Sequence, residues 1–236
     1  MKFTSLALAA TLMFAATAQA NESVIRKALQ QQFPGAQISS VTKTPYSGLF
    51  EVYLDGQLIY TDAKAQYAFI GDVIDLKNRT NLSQERLNRL QAVKWDTLPL
   101  NNALKSVKGK GERKLVVFSD VDCPYCRKFE AELAKVDNIT VYTFLYPIEG
   151  LHPKAVQTSK QIWCAPDRNK AWDEYITRGT VPANDGNCAN PVDATIALGS
   201  KLKVSGTPTL VFANGQRVPG MVPAPQLERL LASNAK

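Results

Sequence analysis

The chain has 236 residues, 45% of them hydrophobic and 21% charged, which is the composition of a folded protein rather than a disordered one. Its 28 Lys and Arg outnumber its 21 Asp and Glu, but the positive charges are scattered, which argues against nucleic acid as a partner. Four cysteines and one histidine exclude most multi-histidine metal sites and most Cys–His or Ser–His catalytic machinery.

The first twenty residues have the three parts of a secretory signal peptide. Met1-Lys2 is a basic start, Phe3 to Ala16 is mostly apolar, and Ala18-Gln19-Ala20 puts small residues at the cleavage positions. The apolar run falls short of the ~20 residues that span a bilayer. The expected product is an exported chain beginning at Asn21. Its C-terminus, Ser233-Asn234-Ala235-Lys236, is no endoplasmic-reticulum retention signal, so a bacterial periplasm is the expected location. Disulfides persist there, and the four cysteines are therefore read first as redox chemistry.

In residues 22–33, Val24, Ile25, Ala28, Leu29 and Phe33 are spaced as one face of a helix, which Pro34-Gly35 ends. Alternating runs at 37–42, 49–54, 57–61 and 66–75 predict strands, with Asp55-Gly56 as a two-residue hairpin turn. One helix on a small sheet makes a marginal core, and pairing with a second copy would cover its exposed face. Residues 81–95 predict a helix with Asn81 or Ser83 as its cap, read as a semi-rigid linker. After a polar turn at Lys108–Glu112, Lys114–Ser119 is a continuous apolar run, typical of a strand covered on both faces. A cysteine motif and a helix to about Lys135 follow, then a strand at 139–145 and helices at 154–177 and 191–202. A hairpin of Thr209–Ala213 and Gln216–Val218 turns at Asn214-Gly215, and a helix at 225–232 closes the chain. This order is an α/β layout around a central sheet.

The chemistry lies in Cys123-Pro124-Tyr125-Cys126. Where a buried strand turns into a helix, the first thiol meets unpaired N–H groups and a dipole that favours thiolate, the attacking form of cysteine. The second cysteine stands one turn away, within reach of a mixed disulfide on the first. Cys123 is thus expected to be the exposed nucleophile and Cys126 the more buried resolving thiol. Pro124 suits the first helical turn because its missing N–H has no partner there. A zinc site is disfavoured, because Cys164 and Cys188 stand far apart and only His152 is otherwise at hand. A purely structural short-loop disulfide is the other alternative. Thr207-Pro208 precedes an apolar strand, and a cis bond there would open the Thr207 backbone to a visiting peptide. His152, just before Pro153, is read as a surface or capping residue.

With these features the chain resembles the DsbC/DsbG group of periplasmic thiol:disulfide interchange proteins, within the thioredoxin superfamily. The resemblance spans the chain from Asn21 and is strongest at 118–126 (FSDVDCPYC), 162–175 (IWCAPDRNKAWDEY) and 204–220 (VSGTPTLVFANGQRVPG). It implies an α+β cystatin-like dimerisation domain (21–80), a helical linker (81–100) and an α/β thioredoxin-like domain with a helical insertion (101–236). By the same resemblance Cys123 is the nucleophile and Cys126 its partner. Thr207, Pro208, Pro124 and Tyr125 meet substrate, and Cys164 and Cys188 form a structural disulfide. Closing that loop of about 25 residues is worth ~3 kcal/mol in the chain-entropy model. The implied activity is isomerisation or reduction of wrong disulfides in exported proteins, with chaperone-like binding, no cofactor, and a membrane reductase of the DsbD type as electron donor. Two departures bear on the redox balance. The pair Pro-Tyr between the cysteines is that of DsbG, where DsbC has Gly-Tyr, and Asp122 adds a negative charge that opposes thiolate formation. The competing readings are a DsbG-like reductase of sulfenic acids, a DsbA-like oxidase and a non-catalytic holdase.

Overall fold

The computed structural model describes residues 21–234, so the signal peptide expected at 1–20 lies outside the described residues. The chain divides into two compact units between Leu90 and Gln91.

The first unit opens with helix α1 (21–32). Four strands follow, β1 (Ile38–Lys43), β2 (Phe50–Leu54), β3 (Gln57–Thr61) and β4 (Ala68–Phe69), in an antiparallel sheet of order β1-β2-β3-β4. The β2–β3 hairpin turns on Asp55 (φ 50°) and Gly56 (φ 87°), the paired positive angles that make Asp-Gly a hairpin signal. Ile25 and Leu29, one helical turn apart on α1, join Val41, Phe50, Val52 and Ile59 in one small core. The strand expected at 66–75 is broken. Gly71 takes φ 148°, and the chain resumes as β5 (Ile74–Asp75), paired with β6 (Thr80–Asn81). Helix α2 (Leu82–Leu90) is capped by Asn81, whose side chain accepts the Gln84 N–H at 2.8 Å. Ser83 is instead buried against the Tyr60 hydroxyl, and Arg86 pairs with Glu51 at 2.6 Å.

The segment read as one linker is therefore shared. Residues 82–90 bond to the first unit. Val93 is buried in the second, where its N–H donates to the Gly215 carbonyl, so the helix expected to reach 95 stops at Leu90. Gly215 has φ 87° and lies so close to the Val93 carbonyl that a Cβ would sit 2.3 Å from it, which is why the hairpin turn there needs glycine.

The second unit is built on five strands in the order β11-β10-β8-β9-β7. These are β7 (Leu104–Lys108), β8 (Arg113–Ser119), β9 (Ile139–Leu145), β10 (Thr209–Phe212) and β11 (Arg217–Pro219); β8 and β9 run parallel and the other pairs antiparallel. Alternation along β8 explains its unbroken apolar run. Leu115 and Val117 face α3 (Pro124–Leu133) and α7 (Ala224–Ser233) with Phe129 and Leu227. Val116 and Phe118 face the opposite side, with Phe144, Tyr146 and Val204. The helix expected at 154–177 is two, α4 (Ala155–Trp163) and α5 (Arg168–Arg178). Pro166 cannot continue α4, and Asp167 caps α5 by accepting the Lys170 N–H. Helix α6 (Val192–Lys201) precedes β10.

Candidate active site

Strand β8 ends at Ser119 and α3 begins at Pro124, and the four-residue turn between them carries Cys123. Cys123 is the N-cap of α3 in an extended conformation, and Pro124 takes the first helical position. The Cys123 N–H donates to the Asp120 carbonyl at 3.2 Å. Its sulfur lies 3.3 Å from the backbone oxygen of Thr207, across the cis Thr207–Pro208 bond. The structure thus brings together Cys123, Cys126 and Thr207-Pro208, residues separated by more than eighty positions in the chain.

Both cysteines are free thiols. Cys126 is fully buried, as its place on the inner face of α3 dictates. Cys123 is only 6% exposed, which corrects the expectation of an exposed nucleophile. The physical reason is the Thr207 carbonyl that lies against its sulfur. Beside it Pro124 and Tyr125 are solvent-exposed; Tyr125 is 59% exposed, with the Lys128 ammonium 5.4 Å from its ring centre. Burial, with the neighbouring Cys123 sulfur adding to it, pushes the Cys126 thiol up to about 12; Ser119, Thr207 and the Asp120 amide pull the other way and do not offset it.

Asp122 does not face solvent freely. Its carboxylate accepts the Tyr175 hydroxyl of α5, and burial together with that bond pushes the Tyr175 hydroxyl up. His152 is likewise not the surface or capping residue expected. Its side chain is only partly exposed, two positions before the N-cap residue Lys154 of α4, and its Nδ1 lies 2.9 Å from the buried carboxylate of Asp120. Asp120 and Tyr175 escaped sequence reasoning, because their side-chain partners His152 and Asp122 are distant in the chain. The one available signal was a charged residue, Asp120, closing an otherwise apolar strand run.

Cys164 and Cys188 lie apart from the free pair and are joined in a disulfide that spans 24 positions. The loop it closes is also held by reciprocal bonds between Gln161 and Asn184.

Two family models cover nearly the whole described chain. Residues 16–84 match the disulfide bond isomerase protein N-terminal domain, and residues 100–235 match the thioredoxin-like domain. Among known proteins, the chain is 42% identical to a probable thiol:disulfide interchange protein DsbC of Bordetella pertussis, over 88% of this chain and 73% of that one. It is 29% identical to the thiol:disulfide interchange protein DsbC of Escherichia coli, over 94% and 92%. Among solved structures it is similar to a disulfide interchange protein from Neisseria gonorrhoeae, with 45% identity and a TM-score of 0.57, covering 59% of this chain and 99% of that one.

Proposed function

The chain belongs to the DsbC-type thiol:disulfide interchange family, and from that premise we propose that it rearranges non-native disulfides in exported proteins of the periplasm. The Cys123 thiolate attacks one sulfur of a wrong disulfide. A mixed disulfide forms as the old S–S bond breaks, and the other substrate sulfur leaves as a thiolate. Isomerisation follows when a substrate thiolate attacks the mixed disulfide or another bond and Cys123 is finally expelled unchanged. Reduction follows when Cys126 attacks instead, which releases the substrate dithiol and leaves Cys123 and Cys126 oxidised. A membrane reductase of the DsbD type would then restore the dithiol.

The observation that carries this reading is the unequal environment of the two thiols: Cys123 at the helix start against the Thr207 carbonyl, Cys126 sealed beneath it. A resolving thiol pushed up to about 12 closes slowly, which lengthens the life of the mixed disulfide and gives the substrate time to rearrange. The same thiol is a poor leaving group, which disfavours a DsbA-like oxidase. Thr207 and Pro208 would present backbone to the substrate beside the sulfur, and Pro124 and Tyr125 would line its path.

The first unit supports a cystatin-like dimerisation role. Its outer strand β4 pairs with β3 on one side only, and Tyr67, Phe69, Ile70, Ile74 and Leu76 are exposed around it. Covering that apolar surface and edge with a second copy would remove both liabilities. Two facing catalytic units would then hold an unfolded substrate by multivalent contact, which accounts for chaperone-like binding. The helices between β9 and β10 would be the family's helical insertion, stapled by Cys164–Cys188.

Refolding of a scrambled multi-disulfide protein tests the proposal. Catalysed recovery is expected with the wild type and none with Cys123→Ala, while some suppression of aggregation survives the substitution. Full-rate recovery with Cys123→Ala would leave only a holdase.

A further inference from the structure

Asp120 immediately follows β8 and is fully buried, and every polar atom that the structure assigns to its carboxylate region is engaged. Oδ1 accepts the Asp122 N–H at 2.9 Å. Oδ2 accepts the Ile148 N–H at 2.7 Å and lies 2.9 Å from His152 Nδ1. Its backbone carbonyl accepts the Cys123 N–H at 3.2 Å. One residue therefore grips the two peptide groups that precede the nucleophile and, through its other oxygen, the loop between β9 and α4. An ionised carboxylate at Asp120 can only accept, and in that state Nδ1 is the donor in its bond to His152. Burying that charge is tolerable only while the donors around it are kept, since an ion left short of partners in the interior is costly.

The Cys123 sulfur, 3.3 Å from the Thr207 carbonyl, is carried on the backbone that Asp120 bonds. Small displacements of a reacting atom are costly in rate. We propose that Asp120 is a positioning residue for thiol exchange at Cys123, and that His152 is the side chain that holds its carboxylate in place. The inference rests on the exchange reading above and assigns His152 a part in it. Asp120 touches neither the substrate nor the reacting sulfur through its carboxylate. It acts through the turn.

The test uses the full chain, purified and reduced, and measures the bimolecular rate of Cys123 alkylation by iodoacetamide at neutral pH, with the adduct assigned by mass spectrometry. Thermal midpoints and the equilibrium with glutathione are read on the same samples. His152→Ala is expected to slow alkylation about tenfold, the scale of one lost charge-assisted hydrogen bond, and to shift the glutathione equilibrium. His152→Asn, whose amide nitrogen stands where Nδ1 stands, is expected to remain within about twofold of wild type. Wild-type rates in His152→Ala with only a lower thermal midpoint would overturn the inference, as would equal slowing in the Ala and Asn variants. Should His152→Ala fail to fold, the comparison of Asn with Gln decides, because the Gln amide reaches past Nδ1 and is expected to be slow. Equal rates for Asn and Gln would then overturn it. An inert Cys123 in the wild type would instead sink the exchange reading itself.

Discussion

The two cysteine pairs of the second unit carry the same side chain to opposite ends. Cys123 and Cys126 are three positions apart at the start of α3, reduced, with one sulfur against a backbone carbonyl and the other sealed in the core. Cys164 and Cys188 are 24 positions apart, oxidised, and joined where α4 meets a loop that Gln161 and Asn184 also hold. The difference teaches that the setting separates a reactive thiol from a staple. A strand-to-helix turn sets one thiol at the start of a helix and keeps a second thiol one turn away. The loop closure instead brings two distant cysteines within bonding reach, and the bond between their sulfurs holds the loop.

The contrast is broken most strongly at Cys126. Cys126→Ala removes the intramolecular thiol and is expected to slow release of reduced substrate on the order of a thousandfold, because resolution must then come from solution. Attack by Cys123 and some isomerisation persist, so mixed disulfides accumulate, which stopped-flow reduction of a model disulfide and non-reducing gels would display. Equal reduction rates would show that the two thiols of the motif do not cooperate.

The staple is tested by Cys164→Ala with Cys188→Ala. The pair is expected to lower unfolding stability by ~3 kcal/mol in denaturant titrations and to leave the rate of exchange at Cys123 within about twofold. A lost exchange rate in a folded double variant would mean that the second pair serves the chemistry directly.

A smaller effect lies on α3 itself, one turn beyond Cys126. Glu130 keeps one carboxylate oxygen closed to solvent without a hydrogen-bond partner. Burial, with Asp173 beside it and Lys108 opposing, pushes the Glu130 carboxyl up from 4.5 to about 7. The unfolded chain gives up this proton near 4.5 while the folded chain keeps it to about 7. Its contribution to stability is therefore complete below 4.5 and is lost progressively as the pH rises to 7. Glu130→Gln is expected to flatten that slope in denaturant titrations between pH 4.5 and 7 and to leave exchange unchanged. A slope that survives the substitution would assign it to another group.

What the sequence made legible was local. The Asp55-Gly56 turn, the two-faced strand β8 and the cysteine motif at the start of α3 each follow from neighbours in the chain, and each stands where expected. What it concealed was set by distant partners. Strand β7 has an LKSVK pattern with little apolar alternation and exists because β9 pairs with it. Helix α2 stops early because Gly215 takes the Val93 amide. The same holds in the site. A motif could identify both thiols, but not the near-complete covering of Cys123 by Thr207, nor the bond between Asp120 and a histidine 32 positions on.

The most direct measurement is the identity of the sulfur that first holds a substrate. Cys126→Ala would be mixed with a scrambled protein, quenched with acid, and the covalent adduct mapped by mass spectrometry. A substrate cysteine bonded to Cys123 is the predicted result. An adduct through Cys164 or Cys188, or none on a folded protein, would contradict the account.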